Sequence, residues 1–109
     1  MNLIPIANKY FLYFSKKNII SLKSLFSKNI NLRDWEVDIS GYDNVIRQNI
    51  KIFKNLDNFK LKIISLSQSK NIIFAEIEII INNDETIKVL DKIEFNKYLK
   101  IKKITAFKG

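Results

Sequence analysis

The sequence predicts an α+β fold in which three N-terminal helices pack on one face of a curved, mostly antiparallel sheet. Three observations lead there. Apolar residues recur at helical spacing through about Leu56, with a single short alternating segment between them. From Phe59 onward they alternate with period two in four Ile-rich runs. The turns between those runs are short and polar, as at Asn82-Asn83-Asp84, which makes successive strands antiparallel neighbours and places the helices on one side of the sheet.

Residues 3–16 read as an amphipathic helix. Leu3, Ile6, Ala7, Tyr10, Tyr13 and Phe14 fall on one stripe, and Pro5 is tolerated in the first turn, where its missing N–H has no helical partner to lose. Asn18 is a predicted N-cap for a short second helix with Leu22, Leu25 and Phe26 on one side. Residues 30–37 alternate as a strand: Ile30, Leu32 and Asp34 share a face, while Asn31 and Arg33 point the other way. Gly41 breaks the chain. Asp43 is then the expected cap of a third helix running to about Leu56, with Tyr42, Val45, Ile46, Ile52, Phe53 and Leu56 on its apolar stripe and Asn49 inserted in the middle. The remaining strands are expected at about 59–67, 71–81, 85–96 and 99–107. In the third of them Glu85, Ile87, Val89, Asp91, Ile93 and Phe95 share one parity, so one face is dry apart from Asp91.

Composition bounds the chemistry. With 109 residues, 47% of them hydrophobic, the chain suits one domain over residues 1–109 with a modest core. It has no cysteine and no histidine, which excludes disulfides, thiolate chemistry and imidazole bases, and leaves acid–base work to carboxylates, tyrosine or lysine. No metal site is expected. The formal charge of +8 arises from 19 basic residues of which only Arg33 and Arg47 are arginine, leaving 17 lysines spread along the chain. Nucleic-acid surfaces favour arginine forks and exposed aromatics in one patch, so the lysines are read as solvated faces and no nucleic-acid partner is expected. The N-terminus lacks a basic segment followed by a long apolar core, and no apolar run reaches membrane-spanning length; no membrane association and a cytoplasmic location are the expectation.

Tyr10, Asp34 and Asp91 stand at positions where the pattern puts the interior. An unpaired buried carboxylate is destabilising by several kcal/mol or more, so two of them on core-facing positions call for a pocket. Asp91, bracketed by Ile87, Val89, Ile93 and Phe95, has the apolar surroundings that keep an acid neutral. Asp34, between Arg33 and Trp35 near a strand end, suits an ionised base. Trp35 alternates away from Asp34 in an ideal strand and reaches the same pocket only if the strand bends or ends there. Asn49 is read either as a pocket donor or acceptor or as a helix residue satisfied by backbone.

The order of elements, the segment YFLYFSKKNIISLKSLFSKNINLRDW and the ending VLDKIEFNKYLKIKKITAFKG resemble the nuclear transport factor 2-like (NTF2-like) superfamily, in its SnoaL-like and ketosteroid isomerase branch. The resemblance spans essentially the whole chain. It implies a cone-shaped sheet closed on one side by helices, with a hydrophobic pocket at the open end. In ketosteroid isomerases a strand aspartate moves a proton while a helix tyrosine and an aspartic acid on the penultimate strand donate to the enolate. On that pattern Asp34 falls on the base, and Tyr10 and Asp91 on the enolate donors. Phe26 and Asn49 stand where some relatives carry supporting tyrosines, and Trp35 replaces a frequent proline. With Phe53 and Val89, these side chains are the expected ligand-binding set. The segment from Asp34 to Gly41 is short, which implies a reshaped pocket mouth.

The resemblance thus implies proton transfer, isomerisation or cyclisation, on a small hydrophobic carbonyl compound without metal or organic cofactor. The alternative from another class is a non-catalytic small-molecule-binding or assembly domain; a water-hydrolysing variant calls for a richer polar set than Asn49 adds. Glu76 and Glu78 are expected to face lysines across strands on the outer sheet surface, joined by Arg33. That surface mixes charges with Phe74, Ile80 and Leu90 and suits a two-fold homodimer interface.

Overall fold

The computed structural model describes residues 1–109, with helices α1 (Ile4–Ser15), α2 (Ile19–Lys23) and α3 (Tyr42–Asn55) and strands β1 (Phe26–Arg33), β2 (Asp38–Ser40), β3 (Phe59–Ser69), β4 (Ile72–Ile81), β5 (Glu85–Phe95) and β6 (Ile101–Lys108). The strands form one sheet in the order β2-β1-β6-β5-β4-β3. Only the β1–β6 pair is parallel; the others are antiparallel. Register shifts interrupt β1 between Phe26 and Asn31, β3 between Ile63 and Ser65, and the β5–β6 ladder beside Phe95. Such irregularities bend strands, and the sheet is curved and unclosed, the cone expected of an NTF2-like α+β fold.

Three local expectations are corrected. The second helix stops at Lys23, and Leu25 and Phe26 leave it. The Leu25 carbonyl accepts from Ile101 N at 2.8 Å and Phe26 aligns with Ile101, so strand pairing claims residues that helical spacing alone assigned to α2. The first strand begins four residues earlier than its alternation suggested and ends at Arg33. Asp34 Oδ1 accepts from Glu36 N at 2.7 Å and Val37 N at 2.8 Å, while Asp34 N donates to the Val37 carbonyl at 2.9 Å. This side-chain-closed turn reverses the chain into β2, a strand with no counterpart in the sequence reading. The cap of α3 is Gly41, at φ 99° and ψ 143°, a region open essentially to glycine; Asp43 lies in the first turn, where its charge suits the helix dipole.

One core of 19 buried hydrophobic residues joins the helices to the concave sheet face. Leu3, Ala7, Phe11 and Phe14 of α1 and its entry, Leu22 of α2, and Val45 and Phe53 of α3 meet Ile73, Ile77, Ile93 and Ile104 from the sheet. Phe14 stacks edge-on against Phe53 at 5.1 Å and Phe59 at 6.0 Å, which locks α1 to α3 and to the start of β3. At the β4–β5 turn Asn82 and Asn83 both take positive φ, a conformation asparagine tolerates and tight hairpins require. No helix is long and apolar enough to cross a membrane.

Candidate functional site

The curved sheet leaves a cavity of about 360 Å³ between its concave face and helices α1 and α3. The register explains why there is space. Asp91 lies on β5 directly between Ala75 of β4 and Ala106 of β6, two of only three alanines in the sequence. Small neighbours on both sides leave the Asp91 carboxyl unburdened by side chains at its own level.

Three buried polar side chains from three elements line this cavity: Tyr10 from α1, Asn49 from α3 and Asp91 from β5. They are 5 %, 2 % and 7 % exposed. No hydrogen bond within the chain reaches the Tyr10 hydroxyl or the Asp91 carboxyl, and no shielded side-chain polar atom lacks a partner. These groups are therefore open to the cavity itself. Around them Phe11, Leu32, Ile77, Val89 and Ile104 supply apolar walls.

The electrostatics follow from burial. Desolvation pushes the Asp91 carboxyl from an ordinary value of 3.8 up to about 7. Burial also raises the Tyr10 phenol well above its ordinary 10, and the nearby Asp91 charge pushes it further in the same direction. Both groups thus favour their protonated forms. The phenol and, below about pH 7, the carboxylic acid face one cavity as hydrogen-bond donors.

The mouth is built from different material. Asp34, half-buried, and Trp35, 45 % exposed, line it from the turn after β1. Trp35 reaches the cavity because the strand ends before it, the condition under which the sequence allowed this. Lys108 Nζ lies 5.7 Å from the Trp35 ring centre, tying the turn to the end of β6. Glu36 from the same turn and Gln48, Lys51 and Asn55 from α3 complete the rim.

Six of the eight expected residues, Tyr10, Asp34, Asp91, Asn49, Trp35 and Val89, thus surround one cavity. Phe26 and Phe53 do not. Phe26 is buried at the irregular start of β1, and Phe53 is turned into the aromatic cluster with Phe14. For Phe53 the reason is local: an apolar stripe on a helix says which side is buried, and not whether neighbouring protein or a cavity covers it; Phe26, expected there from the resemblance, is taken by strand pairing with Ile101. The rim residues Gln48, Lys51 and Asn55 escaped the sequence reading, although their spacing of three and four along α3, beside Asn49, is a usable signal. No group of three or more acidic side chains converges in a way that would hold a metal ion.

No family model and no curated protein matches the sequence. Solved structures match over nearly all of it. An NTF2-like protein of unknown function from Cytophaga hutchinsonii aligns with a TM-score of 0.83 at 13% identity, covering 100% of this chain and 91% of that one. A candidate ketosteroid isomerase from Kribbella flavida aligns at 0.85 and 15% identity, over 96% of this chain and 76% of that one. A candidate isomerase of the SnoaL-like family from Agrobacterium tumefaciens aligns at 0.85 and 12% identity, over 97% and 96%. Identities this low speak to architecture and leave chemistry to the site. Helix order, sheet curvature and these alignments together give the chain the NTF2-like fold, shared with SnoaL-like and ketosteroid isomerase-like structures.

Proposed function

We propose that this chain is a single cytoplasmic SnoaL-like domain that transfers a proton on a small carbonyl compound bound in the cavity, as the step of an isomerisation or cyclisation. Asp34 is the base. It takes a proton from the carbon next to the carbonyl; the C–H electron pair forms a carbon–carbon double bond and the carbonyl π pair moves to oxygen. Tyr10 and protonated Asp91 donate to that oxygen as its negative charge develops. Returning the proton to another carbon completes an isomerisation, whereas attack of the enolate carbon on an electrophilic carbon of the same molecule closes a ring. Protonated Asp34 is the proton source in the first case. The reading calls for no metal or organic cofactor.

The observation that carries this reading is that the Tyr10 hydroxyl and the Asp91 carboxyl, neither hydrogen-bonded within the chain, open on one apolar cavity. The candidate isomerase relatives lend support from architecture. The test is exchange of the acidic carbon-bound protons of β-tetralone, an enolisable ketone, followed by NMR in heavy water. Native protein is expected to speed exchange over buffer, and Asp34→Asn to lose about 10²-fold or more of that acceleration. Asparagine keeps an Oδ1 for the Glu36 and Val37 amides, so the turn survives the change. Exchange at the buffer rate with folded native protein would sink the enzymatic reading.

One observation favours a second reading, a ligand-binding domain without turnover: Asp34 Oδ1 already accepts two backbone amides, which leaves a single oxygen for base work. Tight binding of β-naphthol, a phenol that mimics an enol, without any ketone exchange would select it.

We further propose a homodimer through the convex sheet face. There Phe74, Leu90 and Phe107, the last two 40 % and 52 % exposed, lie among charged residues. Glu78 stands in register between Lys62 and Lys88, and Glu94 beside Lys103, a mixed-charge apolar surface suited to self-association.

A further inference from the structure

Asn49 interrupts the apolar stripe of α3 and is the most deeply buried polar side chain of the chain, at 2 % exposure. The two ends of its amide meet different surroundings. Nδ2 donates to the Val45 carbonyl at 2.9 Å, one turn earlier on the same helix. That bond fixes which way the amide points, because turning it over would set two oxygens against each other. Oδ1 receives no donor from the chain. Since no shielded side-chain polar atom is without a partner, Oδ1 opens on the cavity that Asn49 lines.

The cavity therefore holds groups of opposite demand. Tyr10 and Asp91 have hydrogens to give, whereas Asn49 Oδ1 needs one. A ligand with only a carbonyl satisfies the first pair and leaves Oδ1 desolvated, a penalty sites of this kind use to reject molecules lacking a hydroxyl. Size narrows the class further. At about 360 Å³ the cavity lies near the small end of ligand pockets, which suits a compact molecule.

We infer that the cavity selects a hydroxy-carbonyl compound of one or two rings, whose carbonyl oxygen meets Tyr10 and Asp91 and whose hydroxyl donates to Asn49 Oδ1. This rests on the reading of the cavity as a carbonyl site and adds to it the donor that the substrate itself must carry.

Calorimetric titration of native protein with β-tetralone and with each of its ring-hydroxylated isomers tests the inference. At least one hydroxylated isomer is expected to bind about three- to tenfold tighter than β-tetralone, the worth of one added hydrogen bond. Asn49→Leu is expected to abolish that gain, so that in the variant the hydroxylated isomer binds no tighter than β-tetralone. The Val45 carbonyl keeps its helical N–H partner in this variant, and Asn49→Ala serves as a second variant if the larger side chain disturbs folding. The inference is overturned if no hydroxylated isomer gains affinity, or if the gain survives both substitutions. Proton exchange on β-tetralone separates the two readings: exchange with no hydroxyl gain removes only this inference, and failure of the ketone and every isomer to bind removes both.

Discussion

Asp91 makes the energetics of the cavity measurable through the stability of the whole fold. Its carboxyl rises from 3.8 to about 7 because folding strips it of water without supplying a partner. The unfolded chain releases this proton near pH 4, whereas the folded chain holds it to about pH 7. Between those values the native state binds more protons than the unfolded state, so stability falls as pH rises, and it levels off above about pH 7. At ~1.4 kcal/mol per pH unit the whole window is worth about 4 kcal/mol, a large part of the 5–15 kcal/mol typical of a domain. Asp91→Asn keeps the side chain's shape and removes the ionisation. Urea unfolding of native protein and variant, at one fixed protein concentration, isolates the Asp91 contribution because the other titrating groups cancel in the difference. The variant is expected to match native protein to within about 1 kcal/mol at pH 4 and to exceed it by about 4 kcal/mol at pH 8, the gap opening between. Parallel profiles across this range would refute the argument, since they would mean that Asp91 is solvated or paired when folded.

The same structure yields further expectations. Tyr10→Phe, which removes a hydroxyl without a protein partner, is expected to change stability by no more than about 0.5 kcal/mol and to weaken β-naphthol binding by about 1 kcal/mol, read by calorimetry. Phe53→Ala empties a buried site against Phe14, so denaturant unfolding is expected to register a loss of about 3–5 kcal/mol; β-naphthol affinity of the remaining folded protein stays near native, because Phe53 lies outside the cavity. Leu90→Lys on the convex face is expected to convert a dimer to a monomer in sedimentation at micromolar protein, and an unaltered sedimentation coefficient would remove the proposed interface.

Much of this molecule was legible in its sequence, and the reasons are local. Helical spacing over residues 3–16 and 42–56 and alternation after Phe59 report burial, and burial in small domains follows period closely. Asp91 stood out because its parity partners on β5 are all apolar but Glu85 at the strand's start, and Tyr10 because it sits inside a stripe. Local rules also failed where long-range partners intervened. Phe26 obeys the spacing of α2, yet pairing with Ile101, 75 residues further on, draws it into β1. Asp34 continues the alternation of β1, yet its own carboxylate closes a turn and ends the strand.

Residue order alone, then, settled the α+β class, the succession of helices before strands, and the inward facing of Tyr10 and Asp91, because each depends on neighbours a few positions away. The shape of the hollow they face could not be settled that way. It depends on alanines from β4 and β6 coming level with Asp91, on Phe53 turning to Phe14 instead of the opening, and on the turn after Arg33 carrying Trp35 to the rim. Those placements arise from register and packing between segments far apart along the chain, information that becomes physical only when the sheet curves and the helices close over it.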